Sequence, residues 1–166
     1  VENLIVDETD FNAGAVMTEG QVTADFFGDN PGTFNATGQS SFSSSTSLTS
    51  NGLAVTVAMI GGSYLGSTVN EDVFKLDINA DGTYKFELIG TLDHPDATDP
   101  NDAIQLTFGV AVRDSNGDEA FGDIKVDVLD DAPIARNDLN EFTSKDTFGD
   151  VISGYNGGAG ADDTQS

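Results

Sequence analysis

Four stretches of this chain alternate apolar and polar residues. "LAVTVAM" places Leu53, Val55, Val57 and Met59 on one face, and "YKFEL" does the same with Tyr84, Phe86 and Leu88. "IQLTFGVAV" aligns Ile104, Leu106, Phe108, Val110 and Val112, and "IKVDVL" aligns Ile124, Val126 and Val128. Alternation of period two is the mark of a strand with one buried face. Between these runs lie "GGSYLG", "NADG", "DHPDATDPND" and "DSNGDEAFG", all dense in turn formers. No helical period is present. The spacing predicts an all-β protein, an immunoglobulin-like sandwich of two packed antiparallel sheets with no helix longer than two turns. With 37 % hydrophobic residues in 166, one packed core is within reach.

The remaining segments are less patterned. Residues 35–52, "NATGQSSFSSSTSLTSNG", read equally as an edge strand or a loose loop, with Phe42 and Leu48 among the Ser and Thr. The "NAT" triplet matches a glycosylation acceptor but is too short to weigh. Pro133 follows the last strong strand, and "GDVISGYNGGAGADDTQS" closes the chain with glycine throughout. We expect a sandwich over residues 1–131, and a linker with the start of a following module or a tail over 132–166. The abrupt ends suggest a piece of something larger. No run approaches the roughly 20 apolar residues of a membrane helix, and no basic-then-apolar leader precedes the first strand.

Charge separates the function classes. Twenty-nine acidic residues against six basic give a net charge of −23. Such a surface repels nucleic acid and anionic membranes, so neither is an expected partner. The excess is mostly Asp, 22 against 7 Glu. Short carboxylates serve where a turn or a hard cation must be held. The competing explanation is the acidic surface of a salt-loving organism's protein. There is no Cys, so an extracellular domain would need another source of stability, and calcium is available outside cells.

Two loops carry cation-like spacing. In "DINADGTYKF", Asp77, Asn79, Asp81 and Gly82 open like a calcium loop, yet position 12 is Leu88 rather than the bidentate Glu of an EF-hand. Asp81-Gly82 also reads as a hairpin turn. Side chains two and four residues apart converge when the backbone curls, so we expect both a turn and a metal site. "DSNGD" repeats the spacing with Asp114, Asn116 and Asp118. A third cluster holds Asp93, Asp96, Asp99 and Asp102, and a fourth Asp130 and Asp131 with Asn137 and Asp138. All four fall at strand ends.

The stretch from Gly82 to Asp138 resembles the repeat modules of type I-secreted RTX adhesins, very large bacterial surface proteins. The motifs that carry the resemblance are "G-x-Y-x-F-x-L", "LDHP", "F-x-V-x-V-x-D-S-N-G-D" and "V-x-V-x-D-D-x-P-x-A-x-N-D". "LIVDET" and "ADFFGDNPG" look like the start of such a module, and "GDVISGYNGGAGADDT" like the join into the next. Residues 33–70 match poorly. The resemblance implies a secreted, calcium-dependent sandwich on a bacterial cell surface, engaged in adhesion and biofilm formation. Family calcium ligands would fall on Asp77, Asn79, Asp81, Asp114, Asn116 and Asp118, with Asp130, Asp131 and Asp138 at the module junction. Most such modules are calcium-stiffened spacers, while some near the tip bind ligands, including peptide ends held partly through calcium.

Three function classes then compete. An enzyme is disfavoured: the single His94 sits in "DHPD", where a lone His is most often structural, and no Ser stands in a nucleophile elbow. An Asp pair of the glycosidase kind lacks a Trp to stack a sugar. Between spacer and binding module we favour binding, with Tyr64, Asp99 and Asn101 as candidate ligand contacts on loops 61–72 and 93–102. The expected partners are peptide or protein ends on other cells, glycans, and neighbouring modules of the same adhesin; the module itself is expected to be a monomer. A calcium ion with an open position would capture a carboxylate or a sugar hydroxyl.

Overall fold

The structure, a computed structural model, describes residues 3–26, 31–43, 47–96, 99 and 101–131. The chain divides into a unit Val1–Ala132 and a second, Pro133–Ser166. The second unit, and with it Asp138, lies outside the described residues.

The first strands in chain order are β1 (Leu4–Asp7), β2 (Val16–Gln21), β3 (Thr33–Phe42), β4 (Thr49–Ser50) and β5 (Leu53–Ala54). There follow β6 (Thr56–Ile60), β7 (Ser63–Ser67), β8 (Asp72–Ile78), β9 (Thr83–Leu88), β10 (Ala103–Arg113) and β11 (Glu119–Leu129). One sheet runs β1-β11-β10-β3 and the other β2-β9-β8-β7-β6, with β4 and β5 forming a small ribbon. The protein is an all-β sandwich. Its one helical piece among the described residues is a single 3-10 segment, Glu8–Ala13, that carries the chain from β1 in one sheet to β2 in the other.

The alternating runs put their apolar faces inward as expected. Tyr84, Phe86 and Leu88, then Ile104, Leu106, Phe108 and Val110, then Ile124, Val126 and Val128 are all buried. Phe108 bridges the sheets, its ring centroid 5.1 Å from Tyr64, 5.8 Å from Phe74 and 6.2 Å from Phe86. Ring contacts at these distances add to the area each aromatic removes from water. Met59 departs from the pattern. It is 51 % exposed, because β6 is an edge strand ending at the Gly61-Gly62 turn. Of the Ser/Thr-rich segment 35–52, the part through Phe42 lies in the edge strand Thr33–Phe42, paired on one side with β10, while Thr49–Ser50 forms β4.

Pairing is antiparallel with one exception: β1 runs parallel to β11, Leu4 opposite Val126 through Asp7 opposite Leu129. No hairpin ties β1 to a neighbour, since the 3-10 segment sends the chain to the opposite sheet, so β1 is free to lie alongside the last strand in the same direction. This register sets Glu8, the next residue after β1, beside Asp130, the next residue after β11.

Tyr64 is a correction. A recognition loop would expose it; instead it is 0 % exposed. β7 carries the ring inward, where the hydroxyl donates to Gly109 O at 2.6 Å and accepts from Gly38 N at 2.9 Å. Those backbone groups are freed where the β10–β3 register shifts between Phe108 and Val110. The hydroxyl thus satisfies a bulge in one sheet from the other.

Candidate cation sites at the two ends of the sandwich

β10 spans eleven residues, about 35 Å of strand, and separates two sets of loops. At its far end lie the β8–β9 and β10–β11 hairpins. Both use one turn type. Gly82 N donates to Asn79 O at 2.9 Å and Asn79 N to Thr83 O at 2.8 Å; Gly117 N donates to Asp114 O at 3.2 Å and Asp114 N to Asp118 O at 3.1 Å. Each is a three-residue hairpin closed by a left-handed glycine, at φ 86° and 96°. A side chain at Gly82 would also run into Val22 O, 2.5 Å from an ideal Cβ.

These turns occupy most of the residues that suggested a calcium loop. Asp81 Oδ1 accepts from the Thr83 hydroxyl at 2.6 Å and Thr83 N at 3.0 Å, which holds its carboxyl below the ordinary range. Asn79 Nδ2 donates to Thr83 Oγ1 at 2.9 Å. Asp77 lies on β8 opposite Lys85, with its carboxylate 2.8 Å from Lys75 Nζ and 2.5 Å from Ser63 Oγ. Burial pushes the Asp77 carboxyl up, but the Lys75 and Ser63 contacts outweigh it and hold it low. Asp77 is thus held on the sheet beside Lys75, while Asn79 Nδ2 and Asp81 Oδ1 are engaged within the turn. Asp114 Oδ1 caps three amides of its own turn, those of Asn116, Gly117 and Asp118, at 2.8–2.9 Å.

Beside the second hairpin opens a cleft of about 390 Å³. Asp25, Asp114, Asp118 and Glu119 line it together with Phe26 and Val112. The lining thus sets carboxylates beside apolar side chains that suit a small apolar group.

At the near end of β10 the chain leaves the sandwich. Asp130 N donates to Asp102 O at 2.9 Å, which ties the exit of β11 to the residue before β10, and Asp93 N donates to Thr49 O of β4 at 2.8 Å. Several carboxylates expected as ligands here accept from backbone amides: Asp102 from Asp96 N and Ala103 N, Asp99 from Asn101 N, Asp130 from Asp131 N, and Asp93 from the distant Gly52 N. Asp99 and Asn101 are exposed.

In the middle of this end stand two residues that the spacing did not single out as ligands. Glu8 is 4 % exposed and its Oε1 accepts from Leu92 N at 2.7 Å. The His94 side chain is 2 % exposed, with Nε2 3.7 Å from Glu8 Oε1. Burial pushes the Glu8 carboxyl from 4.5 up to about 7; the Leu92 amide opposes this, and the charges of Asp130, Asp131 and Asp93 add to it. Glu8, His94 and Asp130 each turn a ligand atom into one space, all within 4.8 Å of one another. Among the described residues this is the group of acidic or imidazole side chains that so converges. Sequence spacing could not find it, since Glu8 reaches Asp130 through the parallel pairing of the first and last strands.

No curated protein and no solved structure matches the chain. Residues 3–127, most of the sandwich, match the family described as "Domain of unknown function (DUF5801)", and the chain belongs to that family.

Proposed function

We propose that this domain is a calcium-dependent ligand-binding module of an extracellular bacterial adhesin of the RTX type, and that it captures the carboxylate end of a peptide at the hairpin-end cleft. The observation that carries this reading is the cleft's composition: Asp25, Asp114, Asp118 and Glu119 share its lining with the apolar Phe26 and Val112. A net charge of −23 repels a free carboxylate, so capture needs a cation between the two, and a bound calcium with an open position reverses the local field. The side chain next to the peptide's terminus would then rest on Phe26. Asp118 and the second oxygen of Asp114 are the ligands nominated for the ion.

A second reading is a calcium-stiffened spacer. It is favoured by Tyr64, which is buried rather than presented, and by Asp114, one oxygen of which is already taken by three amides. Titration of free-acid and C-terminally amidated peptides, with and without calcium, separates the two. Calcium-dependent binding of the free acid alone supports capture. Binding of a small sugar instead makes the module a lectin, and no binding at millimolar ligand leaves the spacer.

A further inference from the structure

The exit end of the sandwich carries a buried imidazole, His94. Among the described residues neither His94 Nδ1 nor Nε2 has a hydrogen-bond partner, although the side chain is 2 % exposed. A buried polar group without a partner is costly, and native structures rarely leave both nitrogens of a histidine so. The nearest acceptor, Glu8 Oε1, lies at 3.7 Å, too far for a hydrogen bond. That separation suits a different relation. Two ligands bound to one zinc ion at about 2.0–2.2 Å each stand roughly 3.3–3.6 Å apart in a tetrahedral site.

We propose that Glu8, His94 and Asp130 form a binding site for a divalent transition-metal ion of the zinc class, distinct from any calcium held at the hairpin end. The ion would join three separate pieces of chain: the end of β1, the segment before β10 and the exit of β11. Imidazole nitrogen decides the class of metal. Calcium takes six to eight oxygens and gains nothing from a ring nitrogen, whereas zinc and its neighbours favour imidazole. The carboxylate set fits too. Glu8 is held by the Leu92 amide, the outer-shell contact that orients a ligating carboxylate. Asp130 is fixed by Asp102 O through its own amide. Asp93 and Asp131 add negative charge around Glu8, so a cation at the three converging ligand atoms sits in a negative field.

His94 is the single histidine of the chain, so its ring resonances report on this site alone. The test uses the full 166-residue chain without a polyhistidine tag, stripped of metal and kept in millimolar calcium. Zinc chloride is titrated by calorimetry and followed by imidazole NMR. One zinc per chain should bind, with the His94 ring signals moving in step. His94→Gln and Glu8→Gln should each weaken zinc at least tenfold while leaving the calcium response intact. The variants' folding is checked by circular dichroism, and if His94→Gln does not fold, the ring signals of the unaltered protein still decide. Zinc that binds without moving the His94 resonances, or that binds equally well to the variants, overturns the proposal. So does an absence of binding at 100-micromolar zinc, or calcium moving the same resonances equally. Peptide capture at the cleft is unaffected by any of these outcomes and fails or stands on its own titration.

Discussion

The two ends of the sandwich are both acidic and handle their acids in opposite ways. At the hairpin end Asp81 and Asp114 turn a carboxylate oxygen to the amides and hydroxyl of their own turns, and in Asp81 this holds the carboxyl below its ordinary range. At the exit end the 3-10 segment and the parallel β1–β11 register press Glu8 into a dry space among Asp93, Asp130 and Asp131, and the charge is disfavoured. The lesson is that a count of carboxylates says little about cation demand. What matters is whether neighbouring amides have already answered the charge. The two ends are also independent, since about 35 Å of strand lies between them and screening acts within about 10 Å.

Cation removal should give the largest effect and tests whether the ends differ. A site filled at a hundred times its dissociation constant contributes about 2.7 kcal/mol, or about 5–10 °C of melting temperature for a chain of this size. EDTA should therefore lower the melting temperature by about 10–20 °C if both ends hold ions. Calcium and zinc returned singly should each restore a part. Full recovery with one ion would merge the two sites, and no loss at all would favour the halophile-type surface.

A pH series on the metal-free protein isolates the exit end. With the Glu8 carboxyl at 4.5 unfolded and about 7 folded, the native state binds the extra proton between those values. Stability should fall as pH rises from 4.5 to 7, by about 3 kcal/mol in all, and stay low above. The depressed carboxyls of Asp77 and Asp81 work the other way, losing stability only as pH falls below their ordinary 3.8. Glu8→Gln keeps an acceptor for Leu92 N and removes the charge. It should stabilise the metal-free protein at pH 8 and flatten the upper slope in urea unfolding; an unchanged slope would place the titration elsewhere.

Midway between the ends, Tyr64→Phe strips a hydroxyl from Gly109 O and Gly38 N. It should cost about 1–3 kcal/mol and leave both cation responses untouched. A change in either ion's affinity would show that the ends communicate through the core. The smallest effect is expected at Asp114. Asp114→Ala abandons three amides, two exposed and one part-buried, and should cost about 1 kcal/mol, while Asp114→Asn keeps an oxygen for the turn and costs less. Both should weaken calcium. If Asp114→Asn left calcium binding unaltered, the carboxylate would be a turn residue alone.

Period-two alternation by itself determined the strands and the inward faces of β9, β10 and β11, because the side chains of a strand can only alternate. Asp, Asn and Gly at fixed offsets likewise located both hairpins, since the turn they build is local. The same letters could not say whether those oxygens were free for a metal, because turn and cation ask for the same residues. Tertiary structure decided Tyr64, whose "GGSYLG" setting reads as an exposed loop until a bulge in the opposite sheet supplies partners for its hydroxyl. It also decided the exit end. Glu8, His94 and Asp130 meet because the first strand lies parallel to the last and the "DHPD" segment closes over both. Strand pairing between chain ends leaves no local pattern, so no spacing in the sequence could bring those three side chains together.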